Sequence, residues 1–306
     1  MRVLFVGVDL DTFVSEQCDA LGDKGVEVFK YRIKGHGIIG YLKEMLNLHK
    51  AITECRPDLI HAHYGLSGLC ANMQRRVPVV TTYHGSDIHS GGWILKLSRL
   101  AMRLSAYNVF VSKKMWDLAG CNKDNSCVLP CGIDLNKIHD ITNDIGRKEL
   151  GLDVNKQIVL FSGSFSNDIK NPILAKEAMN KVAEAELIEL KGYTREEVNI
   201  LMNAADCLLM TSHREGSPQV IKEAMACGTP IVSVDVGDVK EVIGNTEGCY
   251  IAERNPENLA EKIRMALAFK GKTNGRQRII DLGLSNDLVA KRLVKIYEGV
   301  LEHVIK

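Results

Sequence analysis

The stretch HREGSPQVIKEAMACGTPIVS, residues 213–233, follows the apolar run CLLMTS (207–212) and holds a polar loop, a helix and a second apolar run. Ser217 is a good N-cap for that helix, and Pro218 suits its first position. Gly216 leaves room for a ligand to approach the backbone. The amides of Gln219 and Val220 then face whatever lies before the helix, and an anion is the favoured occupant. Glu215 and Glu223 stand on either side of this start, and carboxylates accept hydrogen bonds from sugar and ribose hydroxyls. The stretch therefore predicts a strand–loop–helix–strand unit carrying a nucleotide-sugar site.

The same alternation extends outward in both directions. In the first half the apolar runs are RVLFVGV (2–8), VEVFKY (26–31), LIHAHY (59–64), VVTTYH (79–84), YNVFVS (107–112) and SCVLPC (126–131). They are too continuous for one-sided strands, so a parallel sheet covered on both faces is expected. After a polar stretch the pattern restarts with QIVLFSGS, ELIEL, CLLMTS, PIVSVD and CYIAE. The expected fold class is α/β, with two Rossmann-like, doubly wound parallel-sheet domains. The first spans 1–136 on the acceptor side, 137–155 is a linker with a small helix, and 156–285 binds the nucleotide. The amphipathic helix at 286–306 is expected to pack back on the first domain. A ligand cleft is expected between the two domains. Because ligands of open α/β sheets bind beyond the carboxyl ends of strands, the loops after each run carry the functional weight.

Composition narrows the class. The chain has 306 residues, enough for two domains, and 39 basic against 38 acidic residues argue against a dedicated nucleic-acid binder. Nine scattered cysteines, without zinc-site spacing at Cys127 and Cys131, fit a reduced, cytoplasmic compartment. The N-terminal apolar run meets Asp9 too early for a signal peptide, and no run is long enough to span a membrane. No dinucleotide Gly-x-Gly-x-x-Gly fingerprint is present, which argues against a nicotinamide or flavin enzyme.

With these segments in view, the chain resembles the family-4 glycosyltransferases of group 1, which have the GT-B fold. The resemblance rests on the Glu-x7-Glu block Glu215–Glu223 with its GTP continuation, on LPCGIDLNKI (129–138), on HGSDI (84–88) and on FSGSFSNDIKNP (161–172). It implies that Glu215 meets the donor sugar and Glu223 the ribose. It implies that Lys170 clamps the diphosphate, with Gly163 and Ser164 in the same loop. Gly216, Ser217, Pro218, Gln219 and Val220 would hold the sugar or β-phosphate, and the base would lie near Gly192 and Tyr193. His84 would contact the sugar near its reaction centre, making His84, Glu215 and Lys170 the catalytic group. Two departures stand out. The family's Arg after the strand-end Gly is Ser164 here, so Arg214 or loop amides must supply the charge. The family's Gly-Gly after the first strand is Gly7-Val8-Asp9.

On the acceptor side, His63 and Tyr64 are candidates, and Asp87 either orients His84 or faces the acceptor. His61 and His63 are read as projecting to opposite faces of their strand, with His61 outside the site. KGHGIIGY (34–41) is read as a loop lining the acceptor side. No cofactor and no metal are expected, because the resemblance implies metal-independent, configuration-retaining transfer. The function implied is transfer of a hexose-type sugar from a nucleoside-diphosphate sugar to a glycan or lipid-linked acceptor in bacterial surface polysaccharide synthesis. The alternatives are a nucleotide-sugar 2-epimerase and a catalytically weak nucleotide-sugar binder. In GGWILKLSRLAMRLSA (91–106), Trp93, Leu97, Leu100 and Leu104 share a face beside Lys96, Arg99 and Arg103. Ordinary packing on the N-terminal sheet is one reading of this helix, and peripheral contact with an inner-membrane surface is the other.

Overall fold

The computed structural model describes every residue except Thr12, His36, Asn122, Lys123, Glu184 and Lys306. The chain forms two compact units, Met1–Gly132 with Asn286–Lys306, and Ile133–Ser285.

The first unit contains β1 (Arg2–Gly7), α1 (Phe13–Gly22), β2 (Glu27–Arg32), α2 (Gly37–Cys55), β3 (Leu59–His63), α3 (Gly65–Asn72), β4 (Val79–Tyr83), α4 (Ser86–His89), α5 (Gly92–Leu104), β5 (Tyr107–Phe110), α6 (Lys113–Ala119) and β6 (Ser126–Val128). The second runs through α7 (Asn143–Glu149), β7 (Gln157–Phe161), a 3-10 turn at Asp168–Lys170, α8 (Pro172–Met179), β8 (Ala185–Glu189), α9 (Arg195–Ala204), β9 (Cys207–Met210), α10 (Gln219–Cys227), β10 (Ile231–Val234), α11 (Val239–Ile243), β11 (Cys249–Ala252), α12 (Pro256–Ala268) and α13 (Gly275–Asp281). The last helix, α14 (Asn286–Ile305), belongs to the first unit.

Both sheets are parallel, in the orders β2-β1-β3-β4-β5-β6 and β11-β10-β9-β7-β8. The inner strands are buried throughout because helices cover both faces: β3, β4, β9 and β10 are buried at every residue, including the polar His61, His63, Thr81, Thr82 and Ser233. In each sheet the order reverses once, between β1 and β3 and between β7 and β9. These are the topological switch points, where the flanking loops part and open sheets bind ligands.

At the level of whole elements the structure departs from the sequence reading in three places. Residues 137–155 fold as part of the second unit, where Arg147 of α7 is buried and bonded to the carbonyls of Ala204, Val154 and Lys156 and to Asp206. The expected loop at 34–41 is helical from Gly37, the first residue of α2; His36 lies outside the described residues. The third concerns α5, which packs against α3 and buries Ser98, Ala101 and Met102. That contact is close, since a Cβ on Gly65 would fall 2.2 Å from the Ser98 hydroxyl. Trp93 and Leu100 remain 60% and 43% exposed, so the apolar face is not the one that packs. All nine cysteines are free thiols. Among the described residues no helix is long and apolar enough to cross a membrane.

Candidate functional site

The switch point of the second unit gathers the Glu-x7-Glu block and the Lys170 loop. Lys170 comes from the loop after β7, and Glu215 from the loop after β9. Their side chains form an ion pair, Nζ to Oε1, of 2.7 Å. The two loops are stitched together by backbone. The Thr211 hydroxyl donates to the carbonyls of Lys170 (2.9 Å) and Asn171 (2.8 Å), and the His213 amide donates to Ile169 (2.8 Å). Asn171 caps α8, with its side chain accepting from the Leu174 amide and Pro172 in the first turn, as the Asn-Pro pair suggests. Gly163 is needed beside this loop: a Cβ there would lie 2.8 Å from Lys170 Cγ, so only glycine lets the lysine stem cross. Ser164 is half-exposed and shares a hydrogen bond with Ser166 (2.8 Å).

The start of α10 differs from the sequence expectation. Pro218 is the N-cap, and Ser217 makes no capping bond. The Ser217 hydroxyl instead donates to Asp238 Oδ2 at 2.6 Å. Asp238 begins α11, and burial raises its carboxyl above the usual range against the pull of nearby Lys222 and Ser217. Lys222 has no exposed surface. Gly237, at φ +57, lies so close beneath Gly216 that a Cβ would stand 2.7 Å from the Gly216 carbonyl oxygen. The segment Gly237–Asp238 therefore forms a floor under the Glu215–Ser217 loop. Sequence reading missed this floor. Its signal was a lysine on an otherwise apolar helix face, followed by Gly-Asp after the next strand.

Glu223 is buried and ion-paired with Arg195, the first residue of α9. Gly192, at φ +82, and Tyr193 precede that helix, so Glu223 shares a wall with the loop expected to hold the base. Arg195 was not anticipated. Nor was Arg254, whose guanidinium donates to the carbonyls of Thr211 and His213. Arg214 and His213 are exposed.

In the first unit His84 follows β4. Its Nε2 lies 2.8 Å from His63 Nδ1, its Nδ1 lies 3.9 Å from Cys131 Sγ, and the Tyr64 ring packs against it with centroids 4.6 Å apart. Asp87 does not face outward: its carboxylate accepts from the amides of Gly85 (2.9 Å), His84 (3.2 Å) and Gly65 (3.3 Å) and fixes the turn that presents His84. Tyr64 holds a left-handed backbone at φ 71, uncommon for a bulky residue and typical of strained functional corners. His61 and His63 share a face, because residues two apart on a strand project the same way. Their rings stack with centroids 4.6 Å apart, correcting the opposite-face expectation. Both are fully buried, so His63 reaches a ligand only through His84. His61 is held by Tyr297 of α14 (2.5 Å) and Thr82 (2.7 Å). An Asp-x-Asp triplet, Asp9-Leu10-Asp11, follows β1; Asp11 is ion-paired with Arg32, and its amide donates to Asp9. Among the described residues no group of three metal-ligating side chains assembles.

Burial disfavours the imidazolium, pushing His61 down to about 3 and His63 well below its ordinary value. Their folded-state values lie below the unfolded ones, so the unfolded chain takes up more protons as pH falls below 6.5 and stability is lost there. The slope is about 1.4 kcal/mol per pH unit for each ring. Asp87, raised by burial to about 6, acts oppositely between about 4 and 6 and cancels part of the loss. Denaturant midpoints are expected to fall steadily from pH 7 to pH 5. The His61→Asn and His63→Asn variants should flatten that fall, and an equally steep fall in both would exclude these rings as its source.

Two family models match the chain, Glycosyltransferase Family 4 over residues 6–137 and Glycosyl transferases group 1 over residues 168–268. The chain belongs to the family-4, group 1 glycosyltransferases. Among similar proteins of this kind is the putative teichuronic acid biosynthesis glycosyltransferase TuaC of Bacillus subtilis, 28% identical over 68% of this chain; the match spans 60% of TuaC's length. The N,N'-diacetylbacillosaminyl-diphospho-undecaprenol alpha-1,3-N-acetylgalactosaminyltransferase of Campylobacter jejuni is 25% identical over 98% of this chain and 92% of its own. Sucrose-phosphate synthase from Thermosynechococcus elongatus superposes with a TM-score of 0.86 over 99% of this chain and all of its own, at 16% identity. Anabaena HepE in complex with UDP-glucose gives 0.70 over 99% of both chains, at 18% identity. The fold of this family-4 chain is GT-B.

Proposed function

We propose that this protein is a retaining glycosyltransferase that moves a hexose-type sugar from a nucleoside-diphosphate sugar to a glycan or lipid-linked acceptor in surface polysaccharide synthesis. The observation that carries the reading is the Lys170–Glu215 pair at the switch point of the second sheet, in front of the N-terminus of α10. A cation and a helix start at one point suit a diphosphate, and a carboxylate beside them suits the hydroxyls of the sugar it carries. Ser162, buried directly after β7, and Ser212, buried two residues after β9, have hydroxyl oxygens with no partner among the described residues, which suits a polar ligand there. Glu223, preset by Arg195, is the ribose acceptor in this reading. The names of similar proteins support the same chemistry: one builds on a diphospho-undecaprenol carrier, and one is seen with UDP-glucose.

In this mechanism Lys170 and the α10 dipole stabilise the departing diphosphate. Glu215 orients the sugar, and in the first unit His84 is the proposed substrate-contact residue. The leaving phosphate accepts the proton of the incoming hydroxyl, so no protein carboxylate needs to attack. The charge on the leaving group is met without a bound ion, and transfer is expected to proceed at full rate in excess EDTA. A requirement for added Mg²⁺ or Mn²⁺ would refute that part.

Thermal-shift titration against UDP- and GDP-sugars, followed by donor turnover with and without a glycan or polyprenyl-linked acceptor, tests the whole reading. Stabilisation by one nucleotide sugar and acceptor-dependent release of the nucleotide are expected. Acceptor-independent epimerisation of the donor, or binding without turnover, would overturn it.

A further inference from the structure

The side of α5 turned away from α3 combines features that the sugar-transfer reading does not use. Trp93 and Leu100, seven residues apart, are 60% and 43% exposed, and Leu97 and Leu104 at the margin of the same face are half-buried. Lys96, Arg99 and Arg103 are exposed alongside them. No acidic residue occurs between Gly92 and Leu104, so the helix carries only positive charge. The neighbouring α6 adds Leu118, 57% exposed, together with exposed Lys113 and Lys114. Between the two helices lies a cavity of about 580 Å³, lined by Arg99, Arg103, Ala119, Gly120 and Asn125. Arg99 already donates through Nε to the Ala119 carbonyl at 3.3 Å, which fixes its guanidinium at the cavity wall.

We propose that α5 is a membrane-contact helix that lays Trp93, Leu97 and Leu100 into the headgroup boundary of an anionic bilayer and offers Arg99 and Arg103 to lipid phosphate at the cavity between α5 and α6. An aromatic residue with large aliphatic neighbours suits that boundary, because the ring is apolar in body and polar at one edge. Arginine suits the phosphate, because its fork of donors matches two oxygens at once. The charge decides between occupants. A second copy of this chain would place α5 against an identical helix, cation facing cation, and an uncharged apolar partner would leave three cations without counter-charge. An anionic lipid surface satisfies the cations and the apolar residues together.

The test is co-sedimentation of the full chain with vesicles of phosphatidylcholine alone and of phosphatidylcholine with about one third phosphatidylglycerol, at low and high salt. Binding to the anionic vesicles, weakened by salt, is expected, with little binding to the neutral ones. Each cation near the surface is worth roughly fivefold in partitioning. Arg99→Gln with Arg103→Gln should therefore weaken binding by more than tenfold, and Trp93→Ser with Leu100→Ser should weaken it even at low salt. Circular dichroism and the thermal midpoint of each variant should match the wild type, since none of these side chains enters the core. Failure of the wild type to sediment with anionic vesicles, or equal binding by the variants, overturns the proposal. So does a wild-type dimer in size-exclusion chromatography that Trp93→Ser with Leu100→Ser makes monomeric, which would make this face a contact between copies. Because the measurement needs no turnover, its failure leaves the sugar-transfer reading standing.

Discussion

Lys170→Ala and Glu215→Ala are each expected to lower kcat/KM for sugar transfer by about 10²–10³-fold, the loss usual when one preorganised charge is removed from a developing anion or its partner. Loss of Lys170 removes the cation nearest the diphosphate in the proposed site and leaves Glu215 without its 2.7 Å partner, a carboxylate then repelling the group it should help to hold. Loss of Glu215 removes the hydroxyl acceptor and frees Lys170 to swing out of register. Neither change should unfold the protein. Both side chains keep some exposure, 22% and 16%, and the loops are held independently by the Thr211 and His213 backbone bonds. Because the two residues touch, their effects should not add: the double variant should lie close to the worse single one. Steady-state kinetics with the donor identified by thermal shift, beside melting curves, provides the check. Transfer at the wild-type rate by either single variant would remove the pair from the mechanism.

Arg147→Met is expected to destabilise the second unit by about 3 kcal/mol, at the lower end of the cost of breaking a buried pair. The guanidinium is 6% exposed, and besides its 2.6 Å bond to Asp206 it serves three carbonyls. Methionine fills much of the volume but leaves those acceptors in a low-dielectric site without a donor. Asp206 retains 29% exposure and a bond from the Ile158 amide at 2.7 Å, which keeps the loss from being larger. The melting midpoint should fall by roughly 6–12 °C, with the donor site intact in the folded fraction. An unchanged midpoint would mean that residues 143–156 contribute nothing to the stability of the second unit.

These two expectations differ in what made them visible. Lys170, Glu215 and Glu223 were picked out because each lies in or beside a local helix start, and the family resemblance supplied their expected roles. A helix start, its preceding loop and the strand before it are fixed by neighbours in sequence, whereas the pairing of Lys170 with Glu215 joins two such loops 45 positions apart. Arg147 was not legible. A polar stretch such as residues 137–155 is read as a linker from composition, and only a partner some sixty positions away in sequence, Asp206, turns its arginine into a buried clamp. Lys222 and Asp238 escaped for the same reason: a lysine in a short helix is read as solvated until α11 is packed beside it. The histidines show the converse error. Strand periodicity already puts His61 and His63 on one face, but that both are buried, stacked on each other and joined to His84 depends on α14 returning to the first sheet with Tyr297.

By itself the sequence determined the alternation of apolar runs and amphipathic segments, the two parallel sheets that follow from it, and the presence of a helix start after Glu215, though not its cap. Those properties depend on periodicity and on residues close in sequence. The tertiary structure decided which charged groups are paired, which face of α5 is left outside, and which neighbour each site residue leans on. Pairing and burial are set by residues distant in sequence, and the low dielectric of the packed interior gives those pairings their strength.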